Sequence, residues 1–206
     1  LSYRFGIAES DTAQQARDTL ERGIGALIGT RADDAEIAPL LGHLIGFDFS
    51  RHPALRGLIE DARALRERAF AAAARLFAAL ARRRPVVLLL EDIHWADDGA
   101  LDLLAHVART GQDAPLLFVF LARPTLFERR PSWGEGQQMY MRLRLSPLSK
   151  RDARRLATAL LVRLPALPPE LLDMLVGGAE GNPFYVEELV QMLIDDGIIV
   201  PGPEVW

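Results

Sequence analysis

The chain has 206 residues, half of them apolar and a quarter charged, with a net charge of −4 and an isoelectric point near 5.6. That balance supports one domain with its own core plus a small appendage, and it argues against a free-standing nucleic-acid binder, which presents a basic field. The absence of cysteine excludes disulfides, thiol catalysis and thiolate metal sites, and no apolar run reaches the roughly 18 residues of a membrane-spanning helix; a cytoplasmic location is the expectation.

Asp11 to Leu27 reads as a helix, with Ala13, Ala16, Leu20 and Leu27 in its apolar stripe. The glycines Gly23, Gly25 and Gly29 lead into Thr30-Arg31 and have the spacing of a small-residue helix surface or turn. Asp33-Asp34 is expected to cap a second helix through Leu44. A long helix follows over Ile59–Arg83, with Leu65, Ala69, Ala72, Leu76 and Leu80 at helical spacing and an alanine and arginine content that favours helix. Arg82-Arg83-Arg84 closes it, where the helix dipole favours cations, and this short run reads as a helix end rather than a phosphate patch.

After Pro85, the five apolar residues Val86–Leu90 read as a strand buried on both faces, delivering Glu91 and Asp92 at its C-terminal end. Ligands of open α/β sheets sit at that end, so the acids are either a metal-holding pair or a polar, helix-capping turn. The next helix starts near Asp97 or Asp98, with Leu101, Leu104, Ala105 and Ala108 inward. Pro115–Leu121 is a second apolar strand that leads to Arg123. Met139–Leu145 alternates, with Met141, Leu143 and Leu145 on one face and Arg142 and Arg144 on the other, and reads as an edge strand. Ser149-Lys-Arg-Asp152 resembles a capping box and opens about three helices to Asp196. Pro165, Pro168 and Pro169 separate the first two, and Gly177–Pro183 the last two, with Asn182 suited to N-cap and Pro183 to the first helical turn.

Three blocks of this order carry a family resemblance. Leu90-Glu-Asp-Ile-His-Trp-Ala-Asp97 is similar to the Walker B block of STAND-type, AAA+-like P-loop ATPases, the modules fused in bacteria to adenylate/guanylate cyclase or LuxR-type DNA-binding domains. Phe118-Val-Phe-Leu-Ala-Arg-Pro124 is similar to their sensor strand, and Gly181-Asn-Pro-Phe-Tyr-Val-Glu-Glu-Leu189 to their GxP motif, whose proline lies against the nucleotide. The resemblance covers nearly the whole chain. It implies an α/β fold, with a P-loop NTPase-type parallel sheet flanked by helices over residues 1–148 and a helical lid over 149–206.

The phosphate-binding pattern G-x-x-x-x-G-K-[ST] has no counterpart here: the single lysine, Lys150, follows Leu148 and Ser149. In the family that motif lies upstream of a segment resembling Leu1-Ser-Tyr-Arg-Phe-Gly6, so the chain reads as a fragment without its P-loop. The resemblance places the absent strand at the centre of the sheet, between the Arg123 strand and Met139–Leu145. A fragment so cut would expose two unpaired edges and tend to self-associate.

By position, the resemblance assigns Mg²⁺ to Glu91, with a water between them because glutamate is longer than the aspartate common there, and gives Asp92 a share in the metal site and the orienting of the attacking water. Asp92 is shorter than the glutamate of fast AAA+ enzymes, so turnover is expected to be slow. Arg123 is either a γ-phosphate contact or a salt-bridge partner of Glu91, Asp92 or Asp97. Ala122 stands where relatives often carry a small hydroxylic residue. Gly181, Asn182 and Pro183 are the candidate ATP/ADP contacts of the lid. Trp95 is read as a packing anchor beneath the site ahead of a base-stacking platform, and His94 as fixing the loop by hydrogen bonds ahead of acting as a base. Asp102 and His106, four apart, are read as a solvent-facing pair ahead of metal ligands. His43 and His52 have no partners readable from sequence.

The function implied is an ATP-binding, slowly hydrolysing signalling switch that reports to a fused output domain. A cyclase ranks ahead of a LuxR-type regulator because Leu41–Phe49 and Leu55–Phe70 resemble cyclase-fused relatives. The alternative is a non-catalytic scaffold with a degenerate nucleotide site. Without its P-loop the fragment is expected neither to bind ATP tightly nor to hydrolyse it, to make no direct nucleic-acid contact and to stay off membranes.

Overall fold

The computed structural model describes residues 5–8, 10–29, 34–137 and 139–204, and the chain divides into two compact units, residues 1–140 and 141–206. The expectations for Leu1–Arg4, Thr30-Arg31 and Asp33 lie outside the described residues.

In the first unit, α1 (Ala13–Ile28) begins at a complete capping box: the Thr12 hydroxyl accepts from the Gln15 N–H while the Gln15 side chain accepts from the Thr12 N–H. Helix α2 (Ile37–Leu44) and helix α3 (Ala62–Arg83, capped by Asp61) follow. Asp34 does not cap α2. Glu36 holds the N-cap position without a side-chain bond, and Asp34 instead pairs with Arg75 of α3. Leu20 and Ile24 of α1, Ile37 and Leu40 of α2, and Ala69, Ala72 and Leu76 of α3 interlock as one core. The alanines let the helices approach closely, and Arg83 at the end of α3 donates to the Ala26 and Leu27 carbonyls of α1. That contact is the work of the basic run: it satisfies free C-terminal carbonyls of a neighbouring helix.

Strands β1 (Val86–Leu90) and β2 (Leu116–Phe120) pair in parallel, Val86 opposite Leu116 through Leu90 opposite Phe120, with helix α4 (Asp98–Thr110) as the crossover. Val86, Leu88, Leu116 and Phe118 point to the side where Phe77 of α3 meets Phe118 edge-on. The expectation of burial on both faces fails: Val87, Leu89 and Leu117 are 64, 55 and 55 % exposed. Alternation puts them on the other face, and no described element covers it. A second small core forms at the C-terminal end of the strands from Ile93, Leu101, Trp133 and Leu126 of helix α5 (Thr125–Arg129).

The edge strand expected over Met139–Leu145 does not form. Met141, Leu143 and Leu145 are 78, 76 and 88 % exposed, and no strand is assigned there. A strand exists by virtue of the neighbour that takes its N–H and C=O groups, and among the described residues only β1 and β2 pair.

The described residues of the second unit form three helices: α6 (Lys150–Leu160, capped by Ser149), α7 (Pro169–Ala179) and α8 (Pro183–Asp195). Ala157, Leu161, Leu175, Ala179, Val186, Val190 and Leu193 form its core. Helix α7 runs through Gly177 and Gly178, so the break before α8 is only Glu180–Asn182. Among the described residues no helix is long and apolar enough to cross a membrane.

Candidate functional site

The ladder does not stop cleanly at Leu90. The Leu121 N–H donates to the Leu90 carbonyl at 2.9 Å, and the Ile93 N–H donates to the Leu121 carbonyl at 3.1 Å. One residue of the second chain segment therefore brackets two of the first, and Glu91 and Asp92 are looped out of the sheet at its C-terminal end. Asp92 takes up the excess with φ 53°, ψ 31°, a left-handed conformation that aspartate tolerates better than most residues. Both acids are exposed. A one-turn 3₁₀ helix, Ile93–Trp95, then buries Ile93 and His94 before Asp97 caps α4 through the Ala100 N–H.

His94 is held under this acid turn. Its Nδ1 accepts, at a long 3.5 Å, from the Arg123 backbone N–H, and lies 3.8 Å from the Asp92 carboxylate. Its Nε2 is buried without a partner among the described residues, at a cost of roughly 1–3 kcal/mol for an unsatisfied buried polar atom. The loop-fixing role expected of His94 matches this position. The packing role expected of Trp95 does not: Trp95 is 79 % exposed, touching His94 with ring centroids 4.9 Å apart. In a single 3₁₀ turn neighbouring side chains diverge, so burying His94 turns Trp95 outward.

Arg123 follows β2, exposed, and its guanidinium forms no ion pair with Glu91, Asp92 or Asp97 among the described residues. The structure thus brings Glu91, Asp92, His94 and the Arg123 backbone together at one strand end.

Gly181, Asn182 and Pro183 belong to the second unit. Gly181 has φ +81°, its carbonyl accepts from the Leu148 N–H at 2.7 Å, and a Cβ there would stand 2.6 Å from the Leu148 carbonyl oxygen. Asn182 caps α8 by accepting from the Phe184 N–H, and Pro183 occupies its first turn. All three residues have complete local structural reasons for their identity.

Asp102 and His106 are not the simply solvent-facing pair expected from the sequence. Asp102 accepts from both Arg66 and Arg130 at 2.5 Å, Arg130 also meets Asp98, and His106 packs on Phe70. Burial raises the Asp102 carboxyl, but the hydrogen bonds from Arg130 and Arg66 outweigh it and hold it below the usual carboxylate range. Arg66, Phe70, Asp102, His106 and Arg130 line a cleft of about 590 Å³ that does not include the acid turn. The acids Asp98 and Asp102, four apart on one helix, were the readable signal for this network; their arginine partners come from two other segments. His52 caps a short turn through Nδ1 and approaches Glu21 at 3.9 Å.

The AAA ATPase domain model matches residues 6–119, from before α1 through nearly all of β2, with the acid turn inside the match. The chain belongs to the AAA ATPase domain family. Arg123 and Gly181–Pro183 lie beyond the matched residues of this AAA ATPase domain. The chain is also similar to an uncharacterized protein of Rhizobium meliloti (strain 1021), 32 % identical over 162 residues, which cover 77 % of this chain and 15 % of that protein. The chain therefore spans under a sixth of that relative. No solved structure matches it.

AAA ATPase domains generally bind ATP or ADP with Mg²⁺. Glu91 and Asp92 fit the metal half of that requirement: adjacent, open carboxylates are hard oxygen donors, and Mg²⁺ takes one or two of them while keeping several waters. No described group of three or more His, Cys, Asp or Glu residues is placed to hold a metal ion together. For the phosphate half the sequence holds no glycine-rich loop with lysine.

Proposed function

We propose that this chain is the Walker B and lid portion of an ATP-binding, slowly hydrolysing switch, with the phosphate-gripping loop supplied by sequence outside residues 1–206. The observation that carries the reading is the acid turn itself. Two carboxylates are looped out of a parallel strand pair at its C-terminal end, the end where α/β sheets receive ligands, and the backbone on both sides is pinned by Leu121. Bound Mg²⁺ would neutralise phosphate charge there. Glu91 would hold the cation through water, Asp92 would orient the attacking water, and the Arg123 guanidinium, free of ion pairs among the described residues, would meet phosphate charge. The uncovered face carrying Val87, Leu89 and Leu117 is apolar surface of the kind that helices cover on a parallel sheet, and the free edge of the strand pair offers the backbone groups that the absent strand would take.

In this reading residues 149–206 form a lid in which Gly181–Pro183 report nucleotide state to an output domain of a longer cytoplasmic protein, a nucleotide cyclase ahead of a LuxR-type regulator. The length of the Rhizobium meliloti relative is in keeping with further domains. The test is Asp92→Asn in the full-length protein. Removing a water-orienting carboxylate affects the transition state more than the ground state. ATP turnover should fall by at least about 100-fold, in the range seen for removal of single catalytic groups, while ATP affinity is retained. Unchanged turnover removes Asp92 from the chemistry. A full-length protein that neither binds nor hydrolyses Mg·ATP favours the scaffold reading, which rests on the lone lysine standing outside any glycine-rich loop.

A further inference from the structure

Among the described residues three hydrogen bonds join Leu90–His94 to Leu121–Arg123. Two are backbone bonds through Leu121, which any sequence can make; the third is the Arg123 N–H to His94 Nδ1, which needs a side-chain acceptor at that point. An imidazole is an expensive way to fill the space. Its side chain is 3 % exposed and its Nε2 has no partner among the described residues, so an aromatic hydrocarbon would satisfy the packing better. Because Nδ1 accepts from Arg123, the ring proton sits on Nε2, the buried atom. The ring thus keeps its acceptor on the Arg123 turn and leaves its donor unused.

We propose that His94 is a positioning residue: it ties the Glu91–Asp92 turn to the Arg123 backbone and so sets the point from which, in the ATPase reading, the Arg123 side chain reaches the phosphates. The proposal rests on that reading for its catalytic consequence, and on geometry alone for the tether. Among the described residues Arg123 itself makes no other hydrogen bond to the acid turn; further along, Leu126 packs in one core with Ile93 and Arg129 donates to the Ala96 carbonyl. The Arg123 side chain has no ion pair among the described residues, and Leu121, the last residue in the ladder, lies two positions away.

The test compares wild type, His94→Phe and His94→Asn in the full-length protein. The asparagine side-chain oxygen reaches the Nδ1 position, whereas phenylalanine keeps the volume and loses the acceptor. Three quantities are read: the thermal midpoint without nucleotide, amide hydrogen exchange of the segment containing Arg123, and kcat and KM for Mg·ATP. His94→Phe should keep or raise the midpoint, since it removes an orphaned polar atom. Its Arg123 amide should exchange about tenfold faster, as expected for losing one modest hydrogen bond. Its kcat should fall about 10–100-fold with KM within about twofold, the loss expected from a small misplacement of reacting groups. His94→Asn should restore most of the exchange protection and the rate. Exchange at Arg123 unchanged in His94→Phe overturns the tether, and a kcat unchanged in His94→Phe, or equally lost in His94→Asn, overturns the positioning role. A wild type that does not turn over Mg·ATP refutes the ATPase reading instead, and the exchange arm, which needs no nucleotide, still decides the tether.

Discussion

Replacing Gly181 by alanine places a methyl group where the backbone of Leu148 already is. At φ +81° an L-residue costs about 1–2 kcal/mol relative to glycine. The new Cβ would lie 2.6 Å from the Leu148 carbonyl oxygen and 3.0 Å from the Pro147 Cβ, closer than such atoms tolerate. Leu148 cannot simply move away, because its own N–H is held by the Gly181 carbonyl at 2.7 Å; relieving the clash gives up that bond, worth about 0.5–1.5 kcal/mol. The sum is a destabilisation of about 1.5–3.5 kcal/mol confined to residues 141–206. For a unit of this size that corresponds to a fall of roughly 6–28 °C in thermal midpoint. Amide exchange at Leu175 and Val186, both in the core of this unit, reads its unfolding separately from residues 1–140. Gly177→Ala is the control of opposite sign: Gly177 lies in α7 with nothing within 4 Å of its added Cβ, so the change should stabilise by about 0.5–1 kcal/mol. A loss below about 0.5 kcal/mol for Gly181→Ala, or the same sign at both positions, would refute the argument. If it holds, lost nucleotide response in Gly181→Ala is no evidence of nucleotide contact.

The Asp102 network makes stability depend on pH. Its carboxyl is held below its ordinary value when folded, so its contribution is present above the unfolded value near 3.8 and disappears as pH falls through the lower folded value. Urea unfolding between pH 6 and about 3 should show this acid-side loss, and Asp102→Asn should be less stable at pH 6 with a shallower decline; parallel curves would show the pairs contribute nothing. Trp95→Ala should change the thermal midpoint by less than the equivalent of about 0.5 kcal/mol, since the ring is 79 % exposed; a large fall would restore the packing role assigned to it from sequence.

Much of the local structure was legible because local rules decide it. Asp97, Ser149 and Asn182 cap the helices they were read to start, since a short oxygen-bearing side chain ahead of a free N–H group needs no distant partner; Thr12 and Asp61 cap α1 and α3 by the same rule, although those helices were read as starting at Asp11 and Ile59. The apolar runs 86–90 and 116–120 became strands, and the acids after the first stand at the ligand-bearing end of the pair, as their order along the chain required. Asp34 was misread because Arg75, 41 positions away, competes for the same carboxylate.

Local sequence rules therefore settled most of the helices, the two parallel strands and the residues of the acid turn. Tertiary structure decided what depends on a partner remote in sequence. Met141, Leu143 and Leu145 alternate as a strand should, yet no ladder forms, because strand pairing is a property of two segments and alternation only of one. His94 and Trp95 are neighbours with similar claims to a core, and the order of inside and outside was set by one 3₁₀ turn and by the Arg123 N–H waiting beneath it. The left-handed Asp92 follows from Leu121 bonding on both sides of the two acids, a pairing that exists only once β1 and β2 have met.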